Sequence, residues 1–272
     1  MAITKVASTL RTNTSLITDP TLMLSVKHQI VLFINTLKCY GLPTEPLPLL
    51  LQEMAEHYTE VLMQRWVVVF RDILDNAPFL PVEVENQEQY DGVMDTFPYD
   101  GEELEMQPFP RKFPFSSIVP AVYVQVKEFI YAWLKYSAGL GLGGSRRAAA
   151  ARHSASLLLS RSFTGCLSAL FRRPIPLMQL TQIIVDTKYL EDATLYLYEF
   201  ISNITGSELV TTQAAGSMFQ AARDDAEQQI CDKLEKKVDE FLDLENYDWL
   251  LGPVCAIDCR CSRDHRSTEK IT

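Results

Sequence analysis

The stretch LLLQEMAEHYTEVLMQRWVVVFRDIL, Leu49–Leu74, decides the fold. Its WVVVF run, Trp66–Phe70, is strand-like by itself, because β-branched and aromatic residues suit a pleated surface. Its surroundings overrule that impression. Leu47, Leu50, Leu51, Met54, Tyr58, Val61, Leu62, Trp66, Val69, Phe70 and Ile73 step by three and four, while Glu53, Glu56, Glu60, Gln64 and Arg71 fall off the stripe. That is the period of a helix with one buried face, and it predicts a long helix over residues 44–76.

The same period governs most of the chain on either side. Upstream, Asp19 is placed to cap a helix with Pro20 at its first position and Gly41 as its stop. Leu22, Met23, Leu24, Ile30, Val31, Phe33, Ile34 and Leu37 cover most of its circumference, which predicts deep burial. Downstream, Ser116 or Ser117 caps a helix with Val119, Val122, Val126, Phe129, Ile130, Trp133 and Leu134 on one face. A further helix follows GLGLGG and ends at Pro174, and another pair follows it, the second marked by Leu190, Ala193, Leu197, Phe200, Ile201 and Ile204. The last is expected over Gln213–Trp249, with Phe219, Ala222, Ala226, Ile230, Leu234, Val238 and Phe241 facing inward. No segment carries a convincing strand period. The chain therefore reads as all-α, an elongated stack of long antiparallel helices, a helical-bundle rod.

Residues 77–114 break the pattern. Between Glu83 and Glu105 there are nine acidic residues and no Lys or Arg, with prolines and aromatics in no regular spacing. The expectation is an acidic, Pro-rich loop with no apolar face to dock it, the segment a protease would cut first.

Composition narrows the function. Of 272 residues 47% are hydrophobic and 22% charged, enough to build a core. The net charge of −10 argues against nucleic acid or an anionic membrane as a direct ligand. The N-terminus lacks a secretory apolar core, and no uncharged run approaches the ~18 residues that span a bilayer. Cys39, Cys166 and Cys231 lie far apart, as buried free thiols of an intracellular protein would.

Candidate chemistry is thin. Gly139, Gly141 and Gly144 match G-x-G-x-x-G, but a helix precedes them where a dinucleotide site needs a strand. His28, His57 and His153 have no second ligand one turn away, and the carboxylate pairs Asp224–Asp225 and Glu102–Glu103 sit in charged surface contexts. Asn203-Ile204-Thr205 matches a glycosylation sequon that an intracellular chain would not use. Arg146, Arg147 and Arg152 form a small basic patch, and Arg172–Arg173 suit a helix C-terminus. Cys255, Cys259, Cys261 and His265 crowd the C-terminus, but Cys-x-Cys spacing is poor for structural zinc. The sequence assigns no catalytic, cofactor-binding or metal residues, and no cofactor.

Several stretches together resemble one family. TSLITDPTLMLSVKHQIVLFINTLKCYGLP, LLQEMAEHYTEVLMQRWVVVFRDIL, QPFPRKFPFSSIVPAVYVQVKEFIYAWLKYS and LENYDWL are similar, in order, to exocyst complex component 6, the Sec-fifteen subunit family. The resemblance runs to about Trp249 and implies an internal segment of a longer, non-enzymatic subunit of an eight-subunit helical tethering complex. It implies other exocyst subunits and a Rab-family GTPase as partners, cytoplasmic localisation, and peripheral association with vesicles and plasma membrane. It also implies that Rab recognition lies in the family's C-terminal region, so the shortened chain should bind more weakly. SAGLGLGGSRRAAAARHSAS departs from the more polar, acidic turn expected there. The resulting layout is 1–76, N-terminal helices; 77–114, acidic loop; 115–249, a helical-bundle region similar to the start of the family's C-terminal domain; and 250–272, an unrelated, disordered tail of spliced or frame-shifted origin. Alternative functions are a generic helical scaffold and a metal-binding regulator using the C-terminal Cys/His cluster.

Overall fold

The computed structural model describes residues 2–208 and 218–245. They divide into two compact units, Met1–Glu227 and Gln228–Thr272. In order, the elements are α1 (Ala2–Thr14), α2 (Pro20–Cys39), α3 (Pro46–Asn76), β1 (Pro81–Val84), α4 (Gln87–Thr96), α5 (Glu102–Glu105), β2 (Arg111–Ser116), α6 (Ile118–Ser137) and α7 (Gly144–Leu157). A π-helical turn (Leu158–Phe163) joins α7 to α8 (Thr164–Leu170); α9 (Leu177–Asp192), α10 (Thr194–Thr205) and α11 (Gln220–Glu245) follow.

The long helix expected from its stripe is α3, and every stripe position except Val69 and Ile73 is buried, joined by Met63 and Leu74. It packs on α6. Tyr58 stacks on Tyr136 at 4.1 Å, and Trp66 meets Phe129 edge to face at 5.5 Å. Trp133 Nε1 donates to Thr59 Oγ1 at 3.0 Å, and Trp66 Nε1 donates to the Gln125 carbonyl at 2.8 Å. Numbers rise along α3 as they fall along α6, so the two helices are antiparallel. The other flank of α3 holds the π turn and α8. Phe163 meets Phe70 at 5.3 Å, Cys166 Sγ approaches the Val67 carbonyl at 3.7 Å, and Arg173 pairs with Asp75.

Residues 77–114 are not a loop without an apolar face. The hairpin β1–β2, with Val84 opposite Arg111, brackets α4 and α5. Phe79, Val84, Tyr90, Phe97, Leu104, Phe113 and Phe115 are all buried. Their rings interlock: Tyr90 stacks on Phe113, Phe97 meets Phe115 and Tyr123, and Tyr99 meets Tyr189. The elements are only four to ten residues long, so each sends one or two anchors inward and no period develops.

Other boundaries shift for definable reasons. Asp19 caps α2 through the Thr21 and Leu22 amides, as expected, but only Met23, Lys27, Ile30 and Ile34 of that helix are buried. Leu22 and Phe33 are exposed, against the expectation of deep burial. The chain breaks at Ala193, which leaves Leu190 in α9, while Gly206, at φ +62°, ends α10 in the left-handed conformation glycine tolerates. Phe219, just before α11, and Ala222 and Ala226 within it are buried, but Leu234, Val238 and Phe241 are exposed, with Phe241 at 77%. A period shows that a helix has an apolar face, not that a neighbour covers it. Residues 213–217 and 246–249 of the expected final helix, and the segment 250–272, lie outside the described residues.

Two truncations test the core. Trp66→Ala should cost about 3–5 kcal/mol in urea unfolding, the range for removing a large buried aromatic. Phe113→Ala should cost a comparable ~3–5 kcal/mol, because its ring is wholly buried. A loss within about 0.5 kcal/mol, as for a surface site, would return residues 77–114 to the status of a loop.

Candidate interaction surface

The buried ionisable groups come first, because a catalytic centre would be built from such groups. Asp186, 2% exposed, projects from α9 to the junction of β2 and α6. Ser116 donates to it twice, from its amide at 2.7 Å and its hydroxyl at 2.6 Å, and Gln182 Nε2 adds a third bond at 2.9 Å. The Ser116 hydroxyl in turn accepts from the Ile118 amide, so it caps α6 while bound to the carboxylate. Burial pushes the Asp186 carboxyl above its ordinary value, against the three bonds that favour its charge. Buried in this way, the carboxylate clamps α9 to the start of α6.

Lys27 is the buried cation of α2. It donates to the Ala138 carbonyl just past the end of α6, and its ammonium lies 5.8 Å from the centre of the Tyr136 ring. A cation there complements the negative end of the α6 dipole, while burial lowers the lysine pKa. A third charged node holds the start of α11. Glu191 Oε2 pairs with Arg223 at 2.8 Å, and its Oε1 accepts from the Met218 amide at 2.8 Å. All three nodes connect helices.

The motif residues separate in space. The Gly139 and Gly141 turns lie between α6 and α7, at φ +80° and +72°. Gly144, at the start of α7, faces the Thr205 carbonyl so closely that an added Cβ would lie 3.0 Å from it. The end of α10 thus packs closely against the start of α7. His57 Nε2 is hydrogen-bonded with the Ile17 carbonyl at 3.0 Å, His28 is exposed on α2, and His153 lines a different groove. Arg152 reaches Ser202, Arg173 reaches Asp75, and Asp224 accepts from Gln220. Among the described residues no three His, Cys, Asp or Glu converge to hold a metal; Cys255, Cys259, Cys261 and His265 lie outside them.

The surface itself has shallow grooves and apolar faces. A groove of about 760 Å³ lies between α7 and α10, lined by Arg152, His153 and Tyr198. One of about 450 Å³ runs beside the Gly139–Leu142 turn, one of about 350 Å³ between α1 and α2, and one of about 250 Å³ between α3 and the π turn. Exposed apolar residues gather on α2, on the α6–α10 face and on the latter part of α11. Helices pinned from within and apolar faces turned outward suit the recognition of other macromolecules.

Comparison with known proteins gives that surface a context. The family model "Exocyst complex subunit Sec15 C-terminal" matches residues 46–254, from the start of α3 onward. The chain belongs to the Sec15 family of exocyst subunits. It is 49% identical over 251 residues to exocyst complex component 6 of Drosophila melanogaster, covering 92% of this chain and 33% of that protein. Human exocyst complex component 6B is 44% identical over 257 residues, covering 93% and 32%, and the Caenorhabditis elegans relative is 35% identical over 239 residues, covering 86% and 29%. The chain thus spans about a third of the length of these relatives. A crystal structure of a Sec15 C-terminal domain matches with a TM-score of 0.59 and 49% identity, over 74% of this chain and 64% of that one. The family match reaches five residues past Trp249, where the sequence resemblance was expected to stop. Among the described residues of this Sec15 chain no helix is long and apolar enough to cross a membrane.

The Asp186 clamp has a pH signature. Its folded-state pKa is raised, so as pH climbs past the ordinary value of 3.8 the unfolded chain releases a proton that the folded chain retains. Folding stability from this group falls as pH rises through that window and is recovered below it. Asp186→Asn should remove that component. Urea titrations of both proteins between about pH 3 and pH 7 should show the wild type losing stability relative to the variant as pH rises. Parallel curves would place the carboxylate in water.

Proposed function

We propose that this chain is a non-catalytic, helical segment of an exocyst subunit that takes part in docking secretory vesicles at the plasma membrane. Its partners are the other exocyst subunits and a Rab-family GTPase on the vesicle, and it works in the cytoplasm, reaching membranes through the complex. The observation that carries this reading is the family match over residues 46–254, which takes in the helices that build the core. The structure supports it in kind: the ionisable groups inside join helices, and the apolar faces outside are those of a protein that works by contact.

The mechanism is spacing and recognition. Antiparallel α3 and α6, locked by indole hydrogen bonds, give a stiff body that holds partner-facing surfaces at fixed separation. Expressed with an affinity tag, the chain should recover other exocyst subunits, and recovery of none would overturn the reading. Rab recognition is assigned here to the family's C-terminal region, and these 272 residues cover 33% of the length of the fly relative. GTP-loaded Rab should therefore bind this chain at least about tenfold more weakly than it binds the full-length fly relative, a loss of ~1.4 kcal/mol or more. Parallel titrations with the same GTPase measure this, and equal affinity would move the recognition surface into the residues present here.

A further inference from the structure

The second half of α11 turns an apolar stripe to solvent, and its charges are ordered about one residue. Leu234, Val238 and Phe241 step by four and three, with Leu242 beside them, and the four are between 46% and 77% exposed. All of them lie within the second compact unit. Ala222 and Ala226, nearer the start of the helix, are buried. Large apolar side chains in one narrow stripe suit the seam of a two-helix contact.

Val238 is the centre of a sign inversion. Lys237, Lys236 and Lys233 precede it by one, two and five positions, and Asp239, Glu240 and Asp243 follow it by the same steps. Leu234 and Leu242 stand four positions to either side. Within residues 233–243 only Glu235 and its mirror position, Phe241, break the pattern. A segment with opposite charges at mirrored positions is complementary to itself reversed. Antiparallel pairing sets the basic stretch of one helix beside the acidic stretch of the other, twice over. Parallel pairing in register would set lysine beside lysine and carboxylate beside carboxylate. Antiparallel helices also align their dipoles favourably.

We propose that this stripe docks a second copy of the chain, by antiparallel two-fold pairing of α11 about Val238. In that arrangement Val238 meets its own counterpart, and Leu234 lies level with the partner's Leu242. Lys237 and Glu240 are one turn apart on one flank of the stripe, so each Lys237 comes beside the partner's Glu240. On the other flank Asp239 approaches its own counterpart, at a rim where solvent screens the repulsion. The mirrored charge selects the occupant, because an unrelated helix has no need of symmetry about one residue. An anionic bilayer would be repelled by the carboxylates interleaved with the lysines. The seam is short: residues 230–242 rise about 18 Å along the helix axis. The contact therefore falls at the small end of specific interfaces, and the dimer is weak, with a dissociation constant on the order of 10–100 μM. This inference goes beyond the exocyst reading and does not rest on it.

The test is sedimentation equilibrium of the full chain, under reductant so that the exposed Cys39 and Cys231 do not cross-link. Between about 5 and 500 μM the wild type should pass from monomer to dimer by mass action. Val238→Asp should abolish the dimer. Lys236→Glu with Lys237→Glu in one protein, and Asp239→Lys with Glu240→Lys in another, should each weaken self-association at least about tenfold, ~1.4 kcal/mol. Mixed in equal amounts, those two proteins should associate with each other as tightly as the wild type does, because opposite charges then face again. Circular dichroism establishes that each variant is folded, and the charge variants serve if Val238→Asp is not. A chain that stays monomeric at every concentration would overturn the proposal and leave the stripe to another protein. Association unchanged by Val238→Asp, charge variants that self-associate like the wild type, or a mixture that fails to restore pairing would each overturn it as well.

Discussion

The pairing of α3 with α6 is the constraint on which the rest of the structure depends. Two indoles cross the seam in opposite directions: Trp66 of α3 donates to a backbone carbonyl of α6, and Trp133 of α6 donates to a threonine hydroxyl of α3. Each ring also buries a large apolar area, so the contact combines hydrophobic free energy with a directional bond that permits one register. A helix slip of one turn would take the Thr59 hydroxyl away from the Trp133 N–H. Such a loss is costly in a dry seam, since an unsatisfied buried donor forfeits its solvation.

With that seam fixed, the remaining elements have defined places. The π turn and α8 lie on the free flank of α3 through Phe70 and Phe163, while the aromatic cluster of the hairpin reaches α6 through Phe97 and Tyr123. Buried charge then sets junctions that apolar packing leaves loose. Asp186 joins the start of α6 to α9, Lys27 joins the end of α6 to α2, and Glu191 joins α9 to the start of α11. Each charge sits beside a helix end or a loop amide, where backbone dipoles offset part of its desolvation. The buried charges of this Sec15 chain named here thus each join one element of the fold to another.

The long elements were legible because they repeat. The stripe through Leu47–Ile73 spans many turns, so its period outweighs the strand-like look of Trp66–Phe70, and Asp19 with Pro20 marks a helix start by local chemistry alone. The segment between Ala77 and Pro114 was not legible for the converse reason. Tyr90 in α4 and Phe97 just past its end become neighbours of Phe113 and Phe115 in β2 only when the hairpin closes. The short helix α1 also escaped notice; Arg11 finds Glu53 across forty-two positions, a contact no local pattern announces. The candidate surface was hidden in the same way. Tyr131 and Phe200 look like ordinary helix residues until the fold sets their rings edge to face.

The sequence by itself determined the class of the fold and the location of its main helices, because helical period and capping depend on residues within a few positions of each other. It also determined family membership, through long ordered stretches. Only the tertiary structure decided which apolar faces are covered. Phe33 and Phe241 carry the same periodic signal as Ile34 and Phe219, yet the first pair is exposed and the second buried. Burial belongs to a pair of surfaces, and a linear pattern records only one of them.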